Sequence, residues 1–140
     1  MSHDPGCVFC RIVAGQIPCH RLYEDAATLA FLDINPASPG HALAISKDHH
    51  PTLFATPPAT LGLVMATAQR VAQAVQAELQ PDGLNLLQAN GPGAAQSVPH
   101  LHLHVLPRRL DDGLAMNWAP RPGDPAALAA LAGRLRARIG

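Results

Sequence analysis

This chain has no apolar run near the length of a membrane span, and only 14% of its 140 residues are charged, ten basic and ten acidic. The first absence argues against a transmembrane anchor, which needs about 20 consecutive apolar residues. No charged-then-apolar leader opens the chain either. With a formal net charge of zero and no segment that clusters Lys and Arg, a nucleic-acid backbone is not expected as the main partner, whereas a small nucleotide is compatible. Cysteine is scarce and odd in number, at Cys7, Cys10 and Cys19. A disulfide framework is therefore not expected, and a reducing compartment, the cytoplasm, is. Residues 1–140 read as one soluble domain, long enough for a single core.

Along the chain, residues 1–5 carry no pattern and are expected to be a loose tail. The stretch from Cys7 to Gly15 suits a short helical turn. Arg21 to Asp25, Thr28 to Ile34 and Ala42 to Lys47 have strand lengths, separated by turn residues such as Asn35-Pro36-Ala37-Ser38-Pro39-Gly40. From Pro58 to Leu79, apolar residues recur at helical intervals (Leu61, Val64, Met65, Ala68, Val71, Ala72, Val75, Leu79), and Pro81-Asp82-Gly83 stops them. Leu84 to Ala89 and His100 to Leu106 complete a sheet covered on one face by that long helix, an α+β arrangement. Asp124 and Pro125 then supply a cap and a first-turn proline for a C-terminal helix over 121–140, to be packed on the domain or on a second subunit.

The most informative segment is His100-Leu101-His102-Leu103-His104-Val105-Leu106. A strand rises roughly 3.3 Å per residue and alternates its faces, so a strand here would put three imidazoles on one side, about 7 Å apart, with Leu101, Leu103 and Val105 turned to a core. Neutral imidazole is a common zinc ligand, and the row fits either a metal centre or a chemical one. The preceding Gly91-to-Pro99 segment is too rich in Gly and Pro for helix or strand, and can bring backbone N–H groups close to an anion. A phosphate beside the histidines follows. Asp33, at a strand end, could accept hydrogen bonds from ribose hydroxyls or cap the Asn35-Pro36 turn. Cys7-Val8-Phe9-Cys10 has the spacing for two thiolates on one zinc ion, and also suits a redox pair or two small buried residues.

The row matches the His-φ-His-φ-His-φ-φ motif, φ being apolar, at every position, and so resembles the histidine triad family of nucleotide hydrolases and transferases. The resemblance extends over about residues 6–120, through Cys7–Ile12, Ile17-Pro18, Leu22–Asp25, Ala30–Ile34, Pro39–Leu43, Gln96–Val98 and Trp118. It implies a HIT-like fold of about five antiparallel strands with one long helix and a short N-terminal one.

For the site, the resemblance implies that His102 attacks phosphorus to give a covalent nucleotidyl-histidine. The His100 carbonyl would orient its ring, and His104 would donate to a phosphate oxygen. Ser97, paired with Gln96 on the phosphate side, would help the leaving group depart. Asp33 would hold the ribose, and Phe9, Ile12, Phe31, Ile34 and Leu43 would line a base pocket. His41 would support the row without touching substrate. The family places Asn or Gln where this chain has Ala89, so Asn90 is the expected substitute contact.

Zinc would be structural, held by Cys7, Cys10, His49 and His100, and no cofactor would be required for catalysis. The expected partner is a purine nucleotide of the AMP or GMP kind, and the expected assembly a homodimer formed through the long helix and a strand. The expected activity is hydrolysis of nucleoside 5′-phosphoramidates or related nucleoside monophosphate derivatives. Alternatives are a nucleotide-binding scaffold with vestigial turnover, a dinucleoside polyphosphate hydrolase, or a row acting as a catalytic metal centre.

Overall fold

Alternation of small and large apolar residues gives the sheet two different faces, and each recruits its own helix. The computed structural model describes residues 1–115 and 118–139. Strands β1 (Arg21–Glu24), β2 (Thr28–Leu32), β3 (Ala42–Ser46), β4 (Gly83–Leu87) and β5 (His102–Arg108) form one antiparallel sheet in the order β1-β2-β3-β5-β4. Three α-helices accompany them among the described residues: α1 (Val8–Val13), α2 (Pro58–Leu79) and α3 (Pro125–Ile139). The expected α+β class is the observed one.

On one face, Ala30, Ala42, Ala44, Leu101 and Val105 meet Val64, Ala68, Val71 and Val75 of α2. Alanines on the strands let the helix approach closely. Each fully buried aliphatic side chain then contributes about 1.5–3 kcal/mol. The opposite face is closed by α1: Phe9, Cys10 and Ile12 pack with Cys7 on Leu29, Phe31, Leu43 and Ile45. Burial from both sides explains why β3 has no exposed position.

Helix α2 has the limits its periodicity predicts, and its C-cap Gln80 takes a left-handed turn at φ 46°. Its buried stripe differs at two positions. Met65 is exposed, and Thr67 is buried with its hydroxyl 2.7 Å from that of Thr28. Gly40 must be glycine on two counts: its φ is 92°, and a Cβ there would lie 2.5 Å from Leu79 Cδ1 and 3.2 Å from Pro107 Cγ. That tight passage sets His41 at the mouth of β3.

The structure differs from the expectations at several further places. The first residues are not loose, since Ser2 bonds Asp48 and its carbonyl accepts from His49 N at 3.1 Å. Strand β2 stops at Leu32, short of Ile34, and β4 runs Gly83–Leu87 instead of Leu84–Ala89. Strand β5 begins at His102, because Leu101 N donates at 2.7 Å to His50 O outside the sheet. Helix α3 has no buried residue, and Gly140, the last position of the expected extension, lies outside the described residues.

Candidate active site

Register decides which side the histidines face. His104 pairs with Leu43 and His102 with Ile45, so both rings emerge on the α1 face. Leu101 and Val105 go to the α2 side, with Leu103 against the same cluster, as alternation requires. Phe9 of α1 stands edge-on to both His100 and His102, with centroids at 5.8 and 5.2 Å. His102 and His104 are closer than flat-strand spacing implies, at 4.9 Å between centroids.

Two hydrogen-bond chains assign the tautomers. His102 Nδ1 is 2.6 Å from the carbonyl of His100 and can only donate to it, so the lone pair of a neutral ring is on Nε2. At the neighbouring ring, Ala37 N donates to His41 Nδ1 at 3.0 Å. Neutral His41 therefore carries its proton on Nε2, which lies 2.9 Å from His104 Nδ1 and donates to it. His104 in turn must carry its own proton on Nε2. One ring thus presents a lone pair and its neighbour an N–H.

Burial keeps these rings neutral. Loss of solvation lowers the pKa of His41 and His102 below the ordinary value, although Asp33 opposes it at both and the His100 carbonyl bond opposes it at His102. His104 is pushed down to about 4 by burial, then by His102 and His41. Asp33 Oδ2 stands 3.6 Å from His41 Nε2, and its Oδ1 accepts from Asn35 N at 2.9 Å. Asp33, His41 and His104 also converge closely enough for an ion. The Ala37 N–H rules this out, because a ring that accepts at Nδ1 has no lone pair left on Nε2 to give a metal.

His100 faces away from this pair. Its Nδ1 lies 3.4 Å from Cys7 Sγ, 3.6 Å from Cys10 Sγ and 3.2 Å from His49 Nδ1, and Cys10 Sγ lies 3.4 Å from His49 Nδ1. A tetrahedron with Zn–S about 2.3 Å and Zn–N about 2.0–2.1 Å has edges of roughly 3.3–3.8 Å, so the four donors fit that ion. His100 Nε2 donates to Ser46 O at 2.6 Å, which turns the Nδ1 lone pair toward the other three. Burial raises the Cys10 thiol pKa, and a divalent cation among the donors would reverse this.

Other expected contacts fall elsewhere. Phe9, Ile12, Phe31 and Leu43 are buried in the cluster beneath α1, while Ile34 is 76% exposed. The Gln96 amide is spent on bracing its loop, accepting from Gly91 N and donating to Pro51 O and Val98 O. Asn90 is bound to Leu53 N and Gln88. Ser97 is exposed, with no side-chain hydrogen bond among the described residues. The expectations missed Ala37, whose role lies in a backbone N–H that no residue type could signal.

The HIT domain family matches residues 14–111. An adenosine 5′-monophosphoramidase of Schizosaccharomyces pombe is 37% identical over 95% of this chain and 98% of its own length. An adenylylsulfatase of Arabidopsis thaliana is 42% identical over 81% of this chain, which spans only 56% of that protein. A Zn-bound histidine triad protein of Mycobacterium smegmatis superposes with a TM-score of 0.75 at 42% identity, covering 92% of this chain and 97% of that one. The chain belongs to the histidine triad (HIT) family.

Proposed function

We propose that this HIT-family hydrolase cleaves nucleoside 5′-phosphoramidates, with a purine nucleotide as the retained part, through a covalent nucleotidyl intermediate on His102. The observation that carries the reading is the 2.6 Å contact between His102 Nδ1 and the His100 carbonyl, which leaves Nε2 as a nucleophile. The phosphoramidase and adenylylsulfatase names of its relatives agree with attack at a nucleotide phosphorus.

In the first step, His102 Nε2 bonds to phosphorus and the P–N bond to the amine breaks, its electron pair leaving with the amine. Ser97, on the loop before the row, is assigned to give its hydroxyl proton to that amine and to recover one from the water that later attacks phosphorus. The N–H on His104 Nε2 meets the negative charge that builds on a non-bridging oxygen. Water then attacks phosphorus, the P–Nε2 bond breaks, and a nucleoside monophosphate leaves. Asp33 is assigned to the ribose hydroxyls and Ile34 to the base edge. With the Asn90 and Gln96 amides engaged inside the chain, few polar groups remain to select the leaving group, so anhydrides and dinucleoside polyphosphates belong among its candidates.

Zinc at Cys7, Cys10, His49 and His100 would tie α1 to the sheet, with every ligand position filled by protein. Its contribution is structural. The edge strand β4 exposes Leu86 and Leu87, and α2 exposes Leu63 and Met65. These surfaces favour a homodimer joined at β4 and α2. The three cysteines are free, which agrees with the cytoplasm. The test is turnover of adenosine 5′-phosphoramidate by the protein and by His102→Ala. Loss of several powers of ten is expected; equal rates would refute the mechanism.

A further inference from the structure

Strand β1 forms the edge of the sheet opposite β4, and its register to β2 shifts between Arg21 and Tyr23, with Leu22 unpaired between them. Regular alternation would send adjacent side chains to opposite faces. Across this bulge Leu22 and Tyr23 instead line the same cavity, of about 550 Å³, between β1 and α2. Leu32, Val71, Val75 and Leu79 supply the rest of its apolar wall, and Gly40 borders it beside Leu79. Its size and lining are those of a small-molecule site.

The cavity is separate from the sites described above. It lies on the α2 side of the sheet, whereas His102 and His104 emerge on the α1 side. Strand β4 and the exposed Leu63 and Met65, the surfaces assigned to the homodimer, supply none of its lining, so pairing there would leave it open.

Charge at the rim specifies what it takes. Arg70 Cζ stands over the Tyr23 ring, 5.3 Å from the centroid, and this stacking holds the guanidinium while its N–H edge stays available to an acceptor. Asp25, bonded to the same tyrosine, is already occupied: it accepts from the Tyr23 hydroxyl, Ala27 N, Thr28 N and the Thr28 hydroxyl. Among the described residues neither Arg70 nor Glu78 enters an ion pair. Glu78 borders the cavity about 12 Å further along α2, at 1.5 Å per residue. A ligand thus meets a cation at one end, an apolar trough, and at the far end a carboxylate that repels a second negative charge.

We propose that this cavity binds an elongated apolar monocarboxylate of the medium-chain fatty-acid kind, its carboxylate on Arg70 and its hydrocarbon chain along Val71, Val75 and Leu79 toward Gly40. The test titrates the ¹⁵N-labelled full chain with decanoate below its micellar concentration, and with decylamine and decanedioate as charge controls. Saturable binding is expected, tighter for decanoate than for either control, with amide shifts confined to β1, residues 39–40 and residues 70–79. Arg70→Gln should weaken decanoate about fivefold, the upper end for a solvent-facing ion pair. Ala74→Trp, which brings a ring into the cavity from an exposed position of α2, should abolish binding while amides remote from the cavity keep their positions. Binding that does not saturate, shifts elsewhere, equal affinity for either control, or affinity unchanged in Arg70→Gln or Ala74→Trp would overturn the site.

Discussion

His41 Nε2 lies 2.9 Å from His104 Nδ1, and this contact makes the first histidine of β3 a determinant of where the last histidine of the row carries its proton. Ala37 N, 3.0 Å from His41 Nδ1, sets the direction of the whole chain. A backbone amide in a turn therefore governs which nitrogen of His104 carries its N–H.

The relay predicts the behaviour of His41 variants. His41→Ala should lower kcat about 10- to 100-fold, the usual cost of losing a group that orients an active-site ring. His41→Gln, which keeps a donor near the Nε2 position, should recover part of it. Steady-state kinetics with a separate kcat and KM would check this, since a purely structural defect would show no recovery with Gln.

Acid should weaken the fold through His104. Its folded pKa of about 4 lies below the ordinary 6.5 of a free imidazole, so the unfolded chain takes up the proton first. The stabilisation is complete above pH 6.5, declines as pH falls from 6.5 toward 4, and is gone below that. The span corresponds to on the order of 3 kcal/mol at 1.36 kcal/mol per unit. Urea unfolding at pH 7, 5.5 and 4.5 should show this decline, and His104→Gln should lessen it without abolishing it, because burial also pushes His100 down to about 4 and lowers His41 and His102.

Zinc held at Cys7, Cys10, His49 and His100 would matter to stability more than to chemistry. Cys10→Ala should abolish stoichiometric zinc and lower Tm by about 10 °C, equivalent to roughly 3 kcal/mol in a chain of this size. Metal analysis beside calorimetry checks it. If the metal were catalytic, chelation would remove activity while Tm stayed unchanged.

Gly40→Ala should destabilise by roughly 1–3 kcal/mol, because the added methyl meets Leu79 in a left-handed backbone. A shift in the denaturation midpoint without a change in its slope is the expected reading.

Much of this was legible in local patterns. The stripe from Leu61 to Leu79 located α2 to its end residues, and alternation sent Leu101 and Val105 to the core and His102 and His104 to the other face. What local spacing could not reveal depends on partners far along the chain. Gln96 bonds Pro51 across 45 residues, and Asn90 bonds Leu53 across 37; amides that looked available for phosphate are engaged there. His100 left the strand because Leu101 is bonded to His50, so a uniform row became two sites that share one carbonyl. The four clustered thiol and imidazole donors come from three separate segments, and only the family resemblance pointed to the set.

The most direct test is rapid-quench mass spectrometry during turnover of adenosine 5′-phosphoramidate, with the modified peptide sequenced. The expected result is an adenylyl group on His102 that forms and decays at rates compatible with kcat and is absent from His102→Ala. Full turnover with no adduct at any time, or with the label on another residue, would contradict the covalent route.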